Sequence, residues 1–492
     1  MKLAKKFIST LVIISLLSPN CLALQEKRIE KGSTLNLTDC IEISLNNSPL
    51  VKRTIYNLRT AKNNISIARS AYTPTVSAGI GLRQNYNNAN GHRNYTNYSN
   101  NNRTFPNISA SINQMLWNFG KTSAAIKIQK FNKIAAEYDF DYSVLTTTFD
   151  VKLKYYAVLA AKSVMDIERS NVQITERNYI RTQAYYDEGI RSKIDLVNAE
   201  VNLSDAKVAL VQAENNYKNA LVDLNNSMYV AYTPEYEIMN TETFNLPNPY
   251  VPVSLTRIAN DKDLSEVPTP VKDAVLTSGV EKREVLEDYK FQKYPFTFEE
   301  SVELAMKNRP DLKALNSTVD AMEQALLYIK RQYYPTLSAN VGYGLANTKQ
   351  YATNSMSISV DLSTSFNIFQ LQKEIDNAKI QVEAAQNEVK LLSENLYFDV
   401  QGAYINMIQL EKQIPLLETK VRQTLENLEL ADGRYEVGLG DYIQLQDARV
   451  NYNNAQNTYV QTIYKYNVAR ATLEQAIALN QEVTLTTKDL GL

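Results

Sequence analysis

Four short segments of the chain alternate between apolar residues and small or polar ones. They lie at Val76–Leu82, Ile108–Asn113, Leu337–Leu345 and Met356–Ser363. A period of two residues is typical of a β-strand with one apolar face, so we predict four strands in two hairpins. Aromatic residues stand near the strand ends, as in the girdle of a membrane barrel: Tyr72, Phe105, Trp117, Tyr334 and Phe366. The pattern alone also fits an ordinary hairpin on a soluble core.

Long helices are predicted after each hairpin. No Gly or Pro occurs from Lys121 to Asp187, so one helix there would reach roughly 100 Å at about 1.5 Å per residue. A second helix is predicted after Gly189, because large and small residues recur there at coiled-coil spacing: Leu196, Ala199, Leu203, Ala206, Leu210, Ala213, Tyr217, Ala220 and Leu224. Its counterpart in the second half of the chain is the stripe Leu445, Ala448, Tyr452, Ala455, Tyr459, Thr462, Tyr466, Ala469 and Leu473.

A second apolar stripe runs beside the first on the helix after Gly189: Ile194, Val197, Val201, Val208, Val211 and Val222. Two adjacent stripes predict a packing neighbour on each side of the helix, as in the wall of a tube. A long antiparallel bundle, the plainer alternative, would need only one central seam.

The motifs occur twice along the chain. Pro74 and Pro335 are 261 positions apart, whereas Gly189 and Gly438 are 249 apart. One constant offset followed by another indicates a duplication with a deletion of 12 residues in the second copy.

The duplication divides the chain into segments. We predict a first repeat at 24–229 and a second at 296–479, each with a helix, a hairpin and long helices. Residues 230–295 hold seven of the 14 prolines and are predicted to form an irregular connector. Residues 480–492 are predicted to form a C-terminal tail.

Residues 1–23 have the pattern of a secretory signal peptide. Three lysines precede an apolar stretch of 11 residues, and a small-residue sequence ending at Ala23 suits cleavage before the next residue. The residues before Cys21 are unlike a lipidation motif, so we expect no lipid there. Cleavage would leave Cys40 as the single cysteine and exclude an internal disulfide.

Composition argues against several classes of function. The 52 Lys and Arg nearly balance the 53 Asp and Glu, which argues against a nucleic-acid partner. The single histidine, His92, and the two cysteines leave little material for a zinc site or a catalytic triad. No phosphate loop or nucleophile elbow is present, so we expect no cofactor and no enzyme activity, and a secreted hydrolase is disfavoured. Mean hydropathy is −0.34, and no apolar run beyond the N-terminus is long enough for a spanning helix.

The number of strands constrains the assembly. Four strands cannot close a membrane barrel, because an open edge in lipid leaves backbone groups unpaired. Two chains would give eight strands and a bore filled by side chains, whereas three chains would give twelve strands and room for water.

The order and spacing of these motifs resemble the TolC-like outer-membrane efflux and secretion channels over nearly all of the mature chain. The motifs are the helix starts at Pro49 and Pro310, the Tyr-(Thr)-Pro-Thr sequences before the strands, and the Tyr-x-x-Gly turns at Gly189 and Gly438. The resemblance implies a membrane α+β fold: a homotrimer with a 12-stranded β-barrel of four strands per chain, continued by an α-helical coiled-coil tunnel. The connector and tail would form an equatorial region.

The resemblance also implies a function and partners. The chain would be the passive exit duct of a tripartite efflux pump or type I secretion system in the outer membrane of a Gram-negative bacterium. A periplasmic membrane-fusion adaptor would dock at its periplasmic tip, and an inner-membrane transporter would supply the energy. A periplasmic coiled-coil adaptor or structural protein is the alternative, although it would not need duplicated hairpins.

In the family the two Tyr-x-x-Gly turns lie at the periplasmic tip, which polar ties hold shut. Carried over to this sequence, Asp195 and Tyr435 match tie positions, and Asp447 matches a carboxylate that rings the constriction. Gly440 stands where the family has an Arg tie, and Gln444 where it has a second ring carboxylate. We therefore expect a closed state that is held differently and one carboxylate ring rather than two.

Other roles stay open for these residues. Asp195 also fits a first-turn carboxylate that stabilises a helix N-terminus, and Asp447 fits a solvated helix face. Gly189 and Gly438 would let the chain reverse between helices. Their neighbours Tyr186 and Gly440 are candidates for contact with the adaptor.

Overall fold

The computed structural model describes residues 29–84, 104–232, 235–239, 294–347 and 352–479. The signal peptide predicted at 1–23, the tail predicted at 480–492 and the single histidine, His92, lie wholly outside these residues. Most of the connector predicted at 230–295 lies outside them as well.

Apart from two short strands, Ser33–Leu35 and Tyr236–Ile238, the elements follow the same order in both halves of the chain: two shorter helices, two strands and two long helices. In chain order they are β1 (Ser33–Leu35), α1 (Leu37–Asn47), α2 (Pro49–Arg69), β2 (Thr75–Gln84), β3 (Thr104–Trp117), α3 (Lys121–Asp187), α4 (Lys193–Ser227), β4 (Tyr236–Ile238), α5 (Phe298–Asn308), α6 (Pro310–Lys330), β5 (Thr336–Asn347), β6 (Ala352–Ser363), α7 (Ile368–Glu436) and α8 (Tyr442–Ala476). The four strands predicted from alternation are confirmed, and so is the uninterrupted helix of 67 residues from Lys121.

Local sequence explains where the helices begin and end. Pro49 and Pro310 open α2 and α6, where the missing N–H of proline costs nothing. Ser192 and Asp195 form a reciprocal capping box at the start of α4, which satisfies two backbone N–H groups that the helix itself cannot. Pro415 lies inside α7, which is nevertheless a single helix of 69 residues.

The chain divides into two compact units. One comprises Arg53–Asp141 and Pro310–Glu394, and the other comprises Met1–Lys52, Tyr142–Arg309 and Asn395–Leu492. None of the helices in the described ranges has a stretch long and apolar enough to cross a membrane.

The first unit contains an antiparallel sheet with strand order β2-β3-β5-β6. The pairing of β3 with β5 joins the two halves of the duplicated chain into one sheet. Its register sets Ile112 opposite Val341, which in turn lies opposite Ile358. Directly opposite residues share a face, so the apolar positions of all four strands form a single face. That face is open: Ile80 is 83% exposed and Ile358 is 72% exposed.

A β-bulge near the end of β3 determines which of its last side chains lies on the apolar face. The register of β3 shifts between Met115 and Trp117, which leaves Leu116 without a partner on β5 and sets Trp117 opposite Leu337. Such a bulge re-aims the residues that follow it. Trp117 therefore shares the apolar face with Leu337.

The second unit is built on the predicted coiled-coil seams. All nine residues of the α8 stripe from Leu445 to Leu473 are buried, which confirms that seam. On α4, residues of the first stripe are also buried, among them Ala199 and Leu203. The second stripe of α4 is exposed, from 45% at Val197 to 71% at Ile194, so its apolar surface is not covered by the described part of the chain.

Candidate functional site

The two turns between the long helices have matching backbone geometry. Gly189 follows α3 with φ 73°, and Gly438 follows α7 with φ 75°. This left-handed conformation favours glycine and ends a helix. The N–H of Gly189 donates to the carbonyl of Tyr186 at 2.9 Å, and that of Gly438 donates to Tyr435 at 3.2 Å. Each turn therefore reverses the chain within a few residues.

Tyr435 is the centre of the site. Its side chain is 1% exposed, and the guanidinium carbons of Arg191 and Arg181 lie 4.4 and 5.3 Å from its ring centroid. Nη2 of Arg191 also donates to the Tyr435 carbonyl at 3.3 Å. Cations over a buried aromatic ring are attracted by its electron-rich face. Both arginines come from the first repeat, so these contacts join the first helix hairpin to the second.

A buried ion pair adds a second link between the hairpins. Nη2 of Arg181 lies 3.0 Å from Oδ1 of Asp432, with the two side chains 17% and 6% exposed. The same nitrogen donates to Oδ1 of Asn178 at 3.0 Å. Water is largely excluded, so the attraction is screened less than that of a surface pair.

Tyr442, the first residue of α8, provides a third link. Its ring meets that of Tyr435 edge-on at 6.0 Å, and its hydroxyl accepts a hydrogen bond from Nδ2 of Asn202 on α4 at 3.0 Å. Burial raises the pKa of the Tyr442 hydroxyl above its ordinary value, so it stays protonated at neutral pH. Three contacts thus hold the two hairpins together beside their turns.

The residues predicted for the aperture take different positions. Asp195 caps α4: its Oδ2 accepts from the Ser192 N–H at 3.3 Å and hydroxyl at 3.0 Å. Gln444 and Asp447 are exposed on α8. Tyr186, the counterpart of Tyr435 in the first turn, is 37% exposed. The structure therefore brings only Tyr435 of this group into the buried cluster.

Gly440 lies where a side chain would collide with the backbone. An ideal Cβ on it would stand 2.8 Å from the backbone nitrogen of Tyr435. The Gly440 N–H donates to the Arg434 carbonyl at 2.8 Å, whereas the equivalent bond of the first turn, from Arg191 to Tyr185, measures 3.2 Å. The second turn is therefore the tighter one and excludes an arginine at this position.

Sequence reasoning missed Arg181, Arg191 and Asp432. A signal for Arg191 was present, because the offset of 249 that relates the two turns carries Gly440 onto Arg191. The arginine that the resemblance places in the second turn, where this chain has Gly440, thus has a counterpart in the first turn. No comparable pattern marked Arg181 or Asp432. Among the described residues, no group of three or more His, Cys, Asp or Glu side chains is arranged to hold a metal ion.

An open sheet with one apolar face, together with long helix pairs closed by tight turns, defines the class of outer-membrane channels. A family model described as "Outer membrane efflux protein" matches residues 40–228 and 302–479. The chain belongs to this family and is an outer-membrane efflux channel. The relatives are channels rather than enzymes.

Individual relatives agree with this assignment. The chain is 21% identical to the outer membrane protein TolC of Escherichia coli (strain K12) over 453 residues, which cover 91% of this chain and 83% of that protein. Its fold is similar to that of the Campylobacter jejuni CmeC outer membrane channel, with a TM-score of 0.68, 15% identity and coverage of 96% and 94%. It is also similar to the open state of the Neisseria gonorrhoeae MtrE channel, with a TM-score of 0.65, 14% identity and coverage of 94% and 95%.

Proposed function

We propose that three copies of this chain form the passive exit duct of a tripartite efflux pump or type I secretion system. The observation that carries the proposal is the sheet β2-β3-β5-β6, which has one continuous apolar face and in which β2 and β6 are edge strands. An open sheet edge in lipid leaves backbone groups unpaired. Pairing β2 of one copy with β6 of the next would remove both edges, and three copies would close a barrel of twelve strands wide enough to hold water.

The exposed stripe of α4 supports the same assembly. Val201, Val208 and Val211 are 52–66% exposed along one side of the helix. Burial of apolar surface is worth about 25 cal/mol per Å², so a helix with an open apolar side is stabilised by a neighbour. In the trimer that neighbour would be a long helix of the next copy, which closes the tunnel wall.

The turns would form the periplasmic tip and the contact for an adaptor. Ile190 and Leu439 are 63% and 77% exposed at equivalent positions of the two turns, and Val437 is 65% exposed. Exposed apolar residues grouped in this way mark an interaction surface. A membrane-fusion adaptor would dock on them and connect the duct to an inner-membrane transporter, which supplies the energy.

The stoichiometry is tested by native mass spectrometry of the detergent-extracted protein. We expect three times the mass of one mature chain, and the purified assembly should conduct ions in a planar bilayer. A monomer that conducts no ions would refute the proposal.

The place of Asp447 in the duct is tested by ion selectivity. If this exposed carboxylate lines the constriction, Asp447→Asn lowers the preference for cations in planar-bilayer recordings. Gln444→Glu, one helical turn earlier, adds a second carboxylate and raises that preference. If neither variant changes the reversal potential in a salt gradient, this helix face does not line the pore.

A further inference from the structure

At one end of the sheet, which we call the basic edge, the chain segments just outside the strands carry positive charge only. The strand ends on this edge are Thr75, Trp117, Thr336 and Ser363. Within six residues outside these ends the sequence contains no Asp or Glu and four cationic residues, namely Arg69, Lys121, Lys330 and Arg331. This edge is therefore suited to an anionic ligand.

A pocket of about 600 Å³ opens at the same edge, lined mainly by aromatic rings and one cation. Phe119 stacks on Tyr334 with 5.4 Å between ring centroids, and Trp117 meets Phe119 edge-on at 6.3 Å. Arg331 and Tyr72 complete this part of the lining, which holds no carboxylate. Trp117 is 59% exposed and belongs to the apolar face of the sheet, so the pocket adjoins that face.

The backbone of the pocket is adapted to hold its cation. Phe119 has φ 52° and Gly120 has φ 82°, and a bulky residue in the left-handed region is a strained feature that clusters at ligand sites. A Cβ on Gly120 would lie 2.7 Å from Nη1 of Arg331, which donates to the Gly120 carbonyl at 2.6 Å. Nζ of Lys121 donates to the Tyr334 carbonyl at 2.8 Å. Both cations are thus fixed by backbone carbonyls.

We propose that this pocket binds the phosphate-bearing headgroup of an anionic phospholipid in the periplasmic leaflet of the outer membrane. The guanidinium of Arg331 has five N–H donors, and neither Arg331 nor Lys121 forms an ion pair with another described residue. Aromatic rings beside cations at the end of an apolar surface match the headgroup region of a bilayer. The inference rests on the proposed function, since it requires the apolar face of the sheet to lie in lipid.

Trp117 is the only tryptophan of the chain, so its fluorescence reports on this pocket directly. The purified protein is reconstituted in phosphatidylcholine vesicles that contain either brominated phosphatidylglycerol or brominated phosphatidylcholine, both of which quench a tryptophan they contact. We expect brominated phosphatidylglycerol to reach half-maximal quenching at about a fivefold lower mole fraction in the vesicles than brominated phosphatidylcholine. A factor of this size corresponds to the attraction that one basic residue provides at an anionic membrane surface. Arg331→Gln removes this preference, whereas Arg331→Lys retains most of it.

A matched control and two competing occupants make the test decisive. Lys330→Gln removes the neighbouring charge, which does not line the pocket, and should lower the preference less than Arg331→Gln does. Equal quenching by the two lipids, or an equal effect of Lys330→Gln and Arg331→Gln, overturns the proposal. So does loss of the preference in millimolar inorganic phosphate, which would indicate a site for free phosphate.

The failure of this inference is distinguishable from that of the proposed function. In a Trp117→Phe background, Ile358→Trp places a reporter on the apolar face of the sheet. If that reporter is quenched while Trp117 is not, a second copy of the chain covers the pocket and only the headgroup site is wrong. If neither is quenched, the sheet does not lie in lipid and both proposals fail.

Discussion

Asp432→Asn is expected to loosen the contact between the two helix hairpins. The substitution removes the charge that faces Arg181 at 3.0 Å, in a pair whose side chains are 17% and 6% exposed. At this distance and an effective dielectric constant of about 20, the attraction between unit charges is about 5.5 kcal/mol. Removing one partner of a buried pair costs about 3–5 kcal/mol. Because asparagine keeps an acceptor oxygen and Arg181 keeps Asn178 and the Tyr435 ring, we expect a loss of about 2–3 kcal/mol.

Hydrogen exchange at the two turns measures this loss. A change of about 2–3 kcal/mol in local opening corresponds to an exchange rate about 30- to 150-fold higher. Asp166→Asn is the matched control, because Asp166 pairs with Arg169 at 3.5 Å on the same helix but both side chains are about half exposed. Exposed pairs contribute below about 1 kcal/mol, so the control should change exchange at most a few-fold.

The double variant Arg181→Gln/Asp432→Asn separates lost attraction from stranded charge. A buried arginine without its carboxylate accounts for much of the expected cost, and a neutral pair avoids it. The double variant should therefore exchange more slowly than Asp432→Asn alone. If Asp432→Asn exchanges within twofold of the parent protein, or no faster than Asp166→Asn, the ion pair does not hold the hairpins together.

Three further predictions concern single positions. The hydroxyl of Tyr435 is buried without a hydrogen-bond partner among the described residues. Tyr435→Phe should therefore leave the hydrogen-exchange rate at the turns unchanged, whereas Tyr435→Leu should raise it. Equal rates in the two variants would show that the ring has no role. Gly440→Ala should add about 1–3 kcal/mol of strain and therefore lower the melting temperature, whereas Gly433→Ala, with open space around its Cβ, should not. Burial raises the pKa of the Cys40 thiol from 9.0 to about 12. At pH 8, maleimide should therefore label Cys40 roughly a thousandfold more slowly in the native protein than in the unfolded protein. A difference in labelling rate below tenfold would show an accessible thiol.

The sequence was sufficient for the four strands of the sheet and for the long helices, and insufficient for the pairing of the strands. Alternation predicted the strand after Pro74, and the absence of Gly and Pro predicted the helix from Lys121, because both signals are local. The pairing of β3 with β5 was not predictable, since alternation does not reveal which strand lies next to which. The bulge at Leu116 was not predictable for the same reason, because only the register with the partner strand shows that Leu116 is left unpaired.

Part of the candidate site was predictable from the motif, and the rest depends on contacts between elements. Tyr435 was selected by its place in the Tyr-x-x-Gly turn, and the structure makes it the centre of a buried cluster. Its arginine partners come from another hairpin, and an arginine beside a turn usually points to solvent. Spacing within one segment carries no information on such a contact.

The position of the arginine also determines what holds the two hairpins together. The resemblance places the family's arginine at position 440, in the same turn as Tyr435. The tight second turn excludes it, and Arg191 of the first turn reaches the Tyr435 ring and carbonyl instead. This contact joins the first hairpin to the second. Any motion that separates the two hairpins must break the Arg191 contact and the ion pair between Arg181 and Asp432 together.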